Sequence, residues 1–279
     1  KAHPPGSVLE IGCGGGALLS ELGRQWPHAA VYGIEPSPLL AGVAKAQGHE
    51  VFAGSFEDFQ SGRCFDLITS VNVLEHLGDP AAALATVARL LVAEGLAIMV
   101  VPDGEMPGME LLFHDHISSF SIASMKRFAS ESALCMRETA ALDGALQEFR
   151  LFVFAHGTGG ETAGMDNTPL ADARERFLLK IRESSAMPIE GHFCIFGAGE
   201  MVDLLNAYCP DLVQCAEAIV VDTPALAELH GKPVRALCET EAPARFLLAV
   251  HPRSIEAVRD KLMRLGHQVF VLDFTPEVP

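Results

Sequence analysis

Short apolar runs alternate with amphipathic stretches between Val8 and Ala155, and this pattern predicts repeated strand–helix units. The runs are rich in Val, Ile and Leu, as in strands that are buried on both faces of a parallel sheet. The stretches between them carry apolar residues at helical spacing. Strands are predicted at Val8–Ile11, Ala29–Glu35, His49–Ala53, Asp66–Val71 and Leu96–Pro102, and helices at 17–22, 38–47, Ala81–Val92 and Ser121–Ser130.

Two strand patterns without a helix between them follow, at Leu134–Ala141 and Glu148–Ala155, and they read as an antiparallel pair. Strand–helix repeats of this kind predict an α/β fold with a doubly wound, mostly parallel sheet. We assign residues 1–157 to this first domain.

The rest of the chain repeats the same signals on a smaller scale. Residues 158–190 are predicted to form a linker, with a Gly/Thr-rich loop at 157–163 and a charged connecting helix at Asp166–Ser185. A strand at 192–196, the turn Gly197-x-Gly199 and later strands at 218–222, 245–250 and 267–272 predict a second, smaller Rossmann-like domain over 191–279. Val202 stands where a third glycine would be expected, so nucleotide binding and a purely structural or dimerising role both stay open.

Composition narrows the possible partners. The net charge of −16 argues against a nucleic-acid partner, which would require neutralising Lys and Arg. No apolar run is long enough for a membrane span, and the start of the chain has no signal-peptide pattern. The 7 cysteines include no C-x-x-C pair, which favours reduced thiols in the cytoplasm and no zinc site. The sequence begins without Met, and we expect an N-terminal portion to precede it.

A glycine turn after the first strand carries the most specific chemistry. Gly12, Gly14 and Gly16 permit positive φ and close approach of a ligand to the backbone. Such a turn also opens dinucleotide-binding folds. Glu10 favours a different cofactor, because a carboxylate would repel a pyrophosphate but suits the ammonium and sulfonium groups of S-adenosylmethionine.

Glu10, Gly12, Gly14 and Gly16 resemble the E-x-G-x-G-x-G signature of class I S-adenosylmethionine-dependent methyltransferases. Glu35 ends the second strand 19 residues after Gly16, close to the spacing expected for a carboxylate that binds ribose hydroxyls. The resemblance implies that the loop after the third strand covers the adenine. The matching residues there are Ser55, Phe56 and Glu57, and Asn72 is expected to complete the cofactor site.

The string Phe65–Pro80 resembles the F-D-x-I-x-x-x-x-x-L-E-H-x-x-D-P pattern of small-molecule methyltransferases. It places His76 just past the fourth strand, at the edge of the sheet where ligands bind. His76 is either a general base or a structural residue that packs over the methionine end of the cofactor.

The segment after the fifth strand supplies further candidates. A methyltransferase domain followed by a small Rossmann-like domain resembles the sugar C-methyltransferases that act on nucleotide-linked deoxysugars, which carry Tyr-x-Glu-His at this place. Here the corresponding residues are Phe113, His114, Asp115 and His116. Asp115 and His116 keep acid/base groups, whereas Phe113 lacks the phenol, which disfavours C-methylation. Two histidines, His114 and His116, make a weak metal site, and none is predicted.

The prediction is therefore an enzyme that transfers a methyl group from S-adenosylmethionine to a small molecule, such as a sugar or nucleotide-linked sugar. His76, Asp115 and His116 are the candidate catalytic residues. An O- or N-methyltransferase of a lipid-like or polyketide-like acceptor is the alternative, and a non-catalytic module that retains the fold is another. A homo-oligomer is compatible with each of these functions, and no membrane partner is expected.

Overall fold

A computed structural model describes residues 4–157, 168–185, 189 and 191–272. The described residues form two compact units, one with residues 4–106 and 114–157 and the other with 107–113 and the residues from 168 onward. The predicted loop at 157–163, except for its first residue, lies outside the described residues, as does much of the predicted linker, at 158–167, 186–188 and 190. Within the described ranges, every helix is too short or too polar to cross a lipid bilayer.

The first unit is built on a seven-stranded sheet with the order β3-β2-β1-β4-β5-β7-β6. All neighbours from β3 to β5 are parallel, whereas β7 pairs antiparallel with β5 and β6. The strands are β1 Ser7–Ile11, β2 Ala30–Glu35, β3 Glu50–Ala53, β4 Phe65–Val71, β5 Leu91–Pro102, β6 Leu134–Ala141 and β7 Phe149–His156. The helices are α1 Ala17–Gln25, α2 Pro38–Ala46, α3 Pro80–Leu90 and α4 Ile122–Glu131.

Local signals in the sequence explain where these helices begin. The side chains of Ser37, Asp79 and Ser121 accept hydrogen bonds from the first turns of α2, α3 and α4. Ser121 also forms a capping box with Ser124, and the predicted N-cap at Ser121 is confirmed. The main core packs the inner strands β1, β4, β5 and β7 against α3 and α4, with fully buried side chains such as Leu9, Ile68 and Phe152.

The predicted helix at Ala81–Val92 was wrong at its carboxyl end, and the predicted start of the fifth strand was too late. Helix α3 ends at Leu90, and β5 begins at Leu91 rather than at Leu96. Leu91 pairs with Phe65, both side chains are buried, and the ladder resumes only at Leu67 and Leu96. Burial of Leu91 against the sheet thus overrides the helical propensity of this Ala- and Leu-rich stretch.

The second unit contains a six-stranded sheet with the order β10-β11-β9-β8-β12-β13. Leu112, from the short segment 107–113, lies in its core with Phe177 and Ile195. The sequence analysis missed the six-residue helix α7, which begins at a proline and is too short to show periodicity. The strands of the second unit are β8 Cys194–Phe196, β9 Ile219–Val221, β10 Glu228–Leu229, β11 Lys232–Ala236, β12 Arg245–Leu248 and β13 Gln268–Val271. Its helices are α5 Thr168–Ser185, α6 Glu200–Tyr208, α7 Pro210–Cys215 and α8 Ile255–Arg264.

Candidate functional site

A cavity of about 670 Å³ opens at the carboxyl ends of the parallel strands in the first unit. Strand β1 has β2 on one side and β4 on the other, so the chain reverses its direction of progress along the sheet at this point. Ligands of open α/β sheets bind at such a switch point. The lining residues are Ile11, Gly12, Ile34, Glu35, Pro36, Ser55, Phe56, Glu57, Asn72, Val73, His76, Leu77, His114, Asp115 and Ile117.

The glycine turn between β1 and α1 requires glycine for two different reasons. Gly12 has φ +74°, and a Cβ atom there would lie 2.3 Å from Cγ2 of Val73 on the facing loop. Gly16 has φ +88°, and its Cβ would lie 2.8 Å from the ring of His49 and 3.1 Å from Cβ of Ala44. Gly12 therefore keeps the wall of the cavity open, whereas Gly16 permits close packing of α1 against α2.

Glu35, at the end of β2, holds this turn in place. Its Oε2 accepts a hydrogen bond from the N–H of Gly14 and its Oε1 accepts one from the N–H of Ser37, both at 2.8 Å. The residue is only 6% exposed and lines the cavity. Each carboxylate oxygen has two lone pairs, so both can still accept a hydrogen bond from a ligand hydroxyl.

Glu10, on β1, is a second buried carboxyl next to the turn. It is 4% exposed, and burial raises its pKa from 4.5 to about 7. The charge of Glu35 also raises this pKa, whereas a hydrogen bond with the backbone of Leu19 lowers it. Its Oε2 has no hydrogen-bond partner among the described residues. A buried acceptor without a donor is costly, and a cationic ligand would relieve that cost.

The residues predicted around the adenine line the cavity in different ways. The hydroxyl of Ser55 donates to Oδ2 of Asp58 at 2.9 Å and accepts from the Asp58 N–H at 3.3 Å, which closes a turn. The ring of Phe56 is buried in the core, whereas Glu57 is exposed. Asn72 adopts a left-handed conformation with φ 54°, which Asn tolerates better than most residues and which places it at the cavity wall.

Two of the candidate acid/base residues, His76 and Asp115, line the same cavity, and His116 contacts His76. Nδ1 of His76 lies 2.9 Å from the backbone carbonyl of Asp115, and the His76 and His116 rings are in edge contact with centroids 5.1 Å apart. Because a carbonyl can only accept, Nδ1 carries the proton and Nε2 carries the lone pair. Nε2 lies 3.9 Å from Oε1 of Glu75, a buried carboxyl.

A buried polar clamp fixes both ends of the segment that carries these groups. Arg150 donates two hydrogen bonds to the carboxylate of Asp103, at 2.7 and 3.0 Å, just past the end of β5. Oε1 of Glu105 accepts from the N–H of Ile122 at 2.6 Å, and Gly104 lies so close to the backbone of Phe120 that no Cβ would fit. Residues 103–105 are thereby held against 120–122, at the two ends of the segment that includes Asp115 and His116.

The structure places most of the predicted site residues around one cavity. The residues that line it are Gly12, Glu35, Ser55, Phe56, Glu57, Asn72, His76 and Asp115, whereas Glu10, Gly14, Gly16 and His116 do not. Sequence reasoning missed Glu75, Val73 and Ile117. Glu75 was visible in the L-E-H string but was read only as part of a family pattern, and the apolar Val73 and Ile117 carry no chemical signal of their own.

Comparison with known proteins shows what the first unit is similar to. A family model described as a methyltransferase domain matches residues 1–134. The ubiquinone biosynthesis O-methyltransferase of Hahella chejuensis is 34% identical over 101 residues, which is 32% of this chain and 41% of the relative. The mitochondrial ubiquinone biosynthesis O-methyltransferase of Schizosaccharomyces pombe is 29% identical over 144 residues, which is 40% of this chain and 52% of the relative. The chain thus spans about half or less of these curated relatives.

Solved structures are similar over slightly more than half of the chain. The plantazolicin methyltransferase BpumL, bound to a desmethylPZN analogue and SAH, is 16% identical with a TM-score of 0.47 and covers 55% of this chain and 76% of its own. An S-adenosylmethionine-dependent methyltransferase from Clostridium acetobutylicum ATCC 824 is 13% identical with a TM-score of 0.47 and covers 54% of this chain and 84% of its own.

Proposed function

We propose that this chain transfers the methyl group of S-adenosylmethionine to a hydroxyl oxygen of a small molecule, and the match of residues 1–134 to a family model described as a methyltransferase domain supports this. One observation carries the proposal: a single cavity at the switch point of the sheet joins the glycine turn and Glu35 to His76 and Asp115. Cofactor groups and acid/base groups thus lie within reach of one bound ligand pair.

The cofactor half of the proposal assigns a role to each predicted residue. Glu35 accepts hydrogen bonds from the ribose hydroxyls, while it keeps its contacts with Gly14 and Ser37. The buried carboxyl of Glu10 and the turn of Gly12, Gly14 and Gly16 favour the cationic methionine end. The adenine lies against the loop of Ser55, Phe56 and Glu57, and Asn72 borders the methionine end.

The catalytic half needs only deprotonation and alignment. The acceptor hydroxyl loses its proton to the cluster of His76, Asp115 and His116, with Nε2 of His76 as the nitrogen that has a free lone pair when no cation is bound. The oxygen then forms a bond with the methyl carbon as the carbon–sulfur bond breaks, and S-adenosylhomocysteine leaves as a neutral thioether. Holding the three reacting atoms in line is the main contribution of the protein.

Two acceptor classes remain as candidates. We propose that residues 191–279, after a linker at 158–190, form a small Rossmann-like domain, and such a domain supports a sugar or nucleotide-linked sugar as the acceptor. The alternative is a lipid-like or polyketide-like hydroxyl compound, supported by apolar residues such as Val73, Leu77 and the largely exposed Ile117 at the cavity. The names of the curated relatives also favour O-methylation.

An acceptor screen tests this function. The purified chain is incubated with S-adenosylmethionine and matched panels of nucleotide-linked sugars and hydrophobic phenols, and release of S-adenosylhomocysteine is measured. We expect turnover with one panel, and we expect His116→Ala to reduce the turnover rate while cofactor affinity is nearly unchanged. Acceptor-dependent turnover that His116→Ala leaves intact would exclude His116 from the chemistry, and no turnover with either panel would contradict the proposed function.

A further inference from the structure

We propose that Glu75, His76 and His116 form a binding site for one divalent transition-metal ion, such as Zn²⁺, Co²⁺ or Mn²⁺. The binding itself does not depend on the proposed function, and only its catalytic consequence rests on that function. The proposal concerns side chains of the first unit alone.

The three side chains already converge. One potential ligand atom from each residue lies within 4.8 Å of the other two. Bonds of about 2.1 Å to a tetrahedral ion place ligand atoms roughly 3.4 Å apart, so side-chain shifts of about an ångström would close the site. Two segments are joined here, because the N–H of Ser118 donates to the backbone carbonyl of Glu75 at 3.1 Å and so keeps the His116 segment beside Glu75.

A hydrogen bond to the opposite side of the His76 ring supports a ligand role. Metal-binding histidines commonly donate their second ring N–H to a carbonyl or carboxylate, which fixes the tautomer and the ring plane. The Nδ1–H of His76 donates to the carbonyl of Asp115 at 2.9 Å. The lone pair is therefore on Nε2, which lies 3.9 Å from Oε1 of Glu75.

The environment favours a cation. Glu75 is 1% exposed, and a buried carboxylate gains more from a neighbouring positive charge than an exposed one does. Two imidazoles and one carboxylate form a ligand set that is typical of catalytic zinc sites, whereas Mg²⁺ and Ca²⁺ prefer all-oxygen ligands. The ligand set therefore selects a transition metal over Mg²⁺.

The position of His76 gives this site a catalytic consequence. Its side chain is 36% exposed and lines the cavity, so three protein ligands would leave a coordination position that an acceptor hydroxyl can occupy. A coordinated hydroxyl is more acidic, so its proton passes to solvent without a neutral imidazole as base. In the loaded protein His76 is thus a ligand instead of the base, and methyl transfer itself proceeds as before.

Metal titration tests the site without cofactor or acceptor. The full chain is stripped with EDTA and then titrated with Co²⁺, Zn²⁺ and Mg²⁺ by calorimetry, while the visible absorption of Co²⁺ is recorded. We expect about one equivalent of Co²⁺ and Zn²⁺ to bind at least tenfold more tightly than Mg²⁺. We also expect no thiolate-to-cobalt charge-transfer band, which would indicate binding by cysteine.

Variants decide which residues bind the ion. Glu75→Gln and His116→Ala should each weaken Co²⁺ binding by at least tenfold, and His114→Ala, next to the cluster but outside it, should bind as the parent does. The fluorescence of Trp26, the only tryptophan of the chain, verifies that each variant is folded. No saturable binding by the parent, or binding that neither Glu75→Gln nor His116→Ala weakens, would overturn the proposal.

The two proposals can fail separately. Methyl transfer that persists in EDTA-stripped protein with no affinity for Co²⁺ or Zn²⁺ would remove the cation site and leave the proposed function intact. Cation binding in a protein with no affinity for S-adenosylmethionine would contradict the proposed function and leave the cation site intact.

Discussion

The carboxylate of Glu35 accepts a hydrogen bond from the backbone N–H of Gly14 at 2.8 Å. The acidic end of β2 is thereby joined to the glycine turn at the end of β1. One side chain thus shapes the turn and, in our account, also binds the ribose. Loss of this carboxylate should therefore affect cofactor binding through both contacts.

Replacement of Glu35 by Gln tests this dual role. The amide nitrogen of Gln cannot accept a hydrogen bond, so either the turn or the ribose loses an acceptor. Hydrogen bonds to charged groups contribute about 1.5–3 kcal/mol, so the dissociation constant for S-adenosylhomocysteine should rise at least tenfold. Calorimetry measures it, and Glu94→Gln, an exposed position, is the matched control for the lost charge. Equal affinity for the parent and Glu35→Gln would refute the assignment.

Gly12→Ala should abolish cofactor binding. The added methyl group would lie 2.3 Å from the side chain of Val73, at a residue whose φ of +74° already disfavours alanine. Gly23→Ala is the control, because this helical position has open space, and there alanine should stabilise the protein by about 0.4–1 kcal/mol. Calorimetry with S-adenosylhomocysteine separates the two variants, and normal binding by Gly12→Ala would show that the turn does not contact the cofactor.

The order of elements in the first unit could be predicted because each signal is local. A buried strand, a glycine turn and an N-cap such as Ser121 are each encoded within a few residues. The convergence of Glu75 with His116 could not be predicted, because it depends on the path of the chain after β5. The grouping of residues 107–113 with the second unit could not be predicted either, because the sequence around Leu112 does not indicate which distant residues it packs against.

Asp103→Asn should destabilise the first unit strongly. The guanidinium of Arg150 is mostly buried and loses its anionic partner in this variant. Breaking a buried ion pair from one side costs about 3–5 kcal/mol. Urea unfolding followed by Trp26 fluorescence reports on this unit, since Trp26 lies in it. Glu21→Gln breaks the exposed pair of Glu21 with Arg24 and should leave the unfolding midpoint nearly unchanged. A similar effect of both variants would argue against the clamp.

The stability of the first unit should fall as the pH rises from about 4.5 to about 7, through Glu10. Burial raises the pKa of this carboxyl to about 7 in the folded state, so the folded protein keeps a proton that the unfolded chain has lost. The protonated carboxyl contributes at most about 3 kcal/mol to the free energy of unfolding. This contribution is fully present below the pKa of Glu10 in the unfolded chain and is lost as the pH rises through the pKa in the folded state.

Glu10→Gln isolates this effect. The variant should be as stable as the parent at pH 4.5 and more stable at pH 8, while binding the cofactor less well. Urea unfolding of both proteins across this range, again followed by Trp26, measures the difference. A difference between them that does not change with pH would mean that the pKa of Glu10 is the same in the folded and the unfolded state.

Calorimetric titration of the purified chain with S-adenosylmethionine tests the central claim most directly, with S-adenosylhomocysteine and NAD as parallel ligands. The account predicts saturable binding of both sulfur ligands, weakened at least tenfold by Glu35→Gln, and no binding of NAD to the first unit. Absence of binding by either sulfur ligand would contradict it and would favour a non-catalytic module that retains the fold.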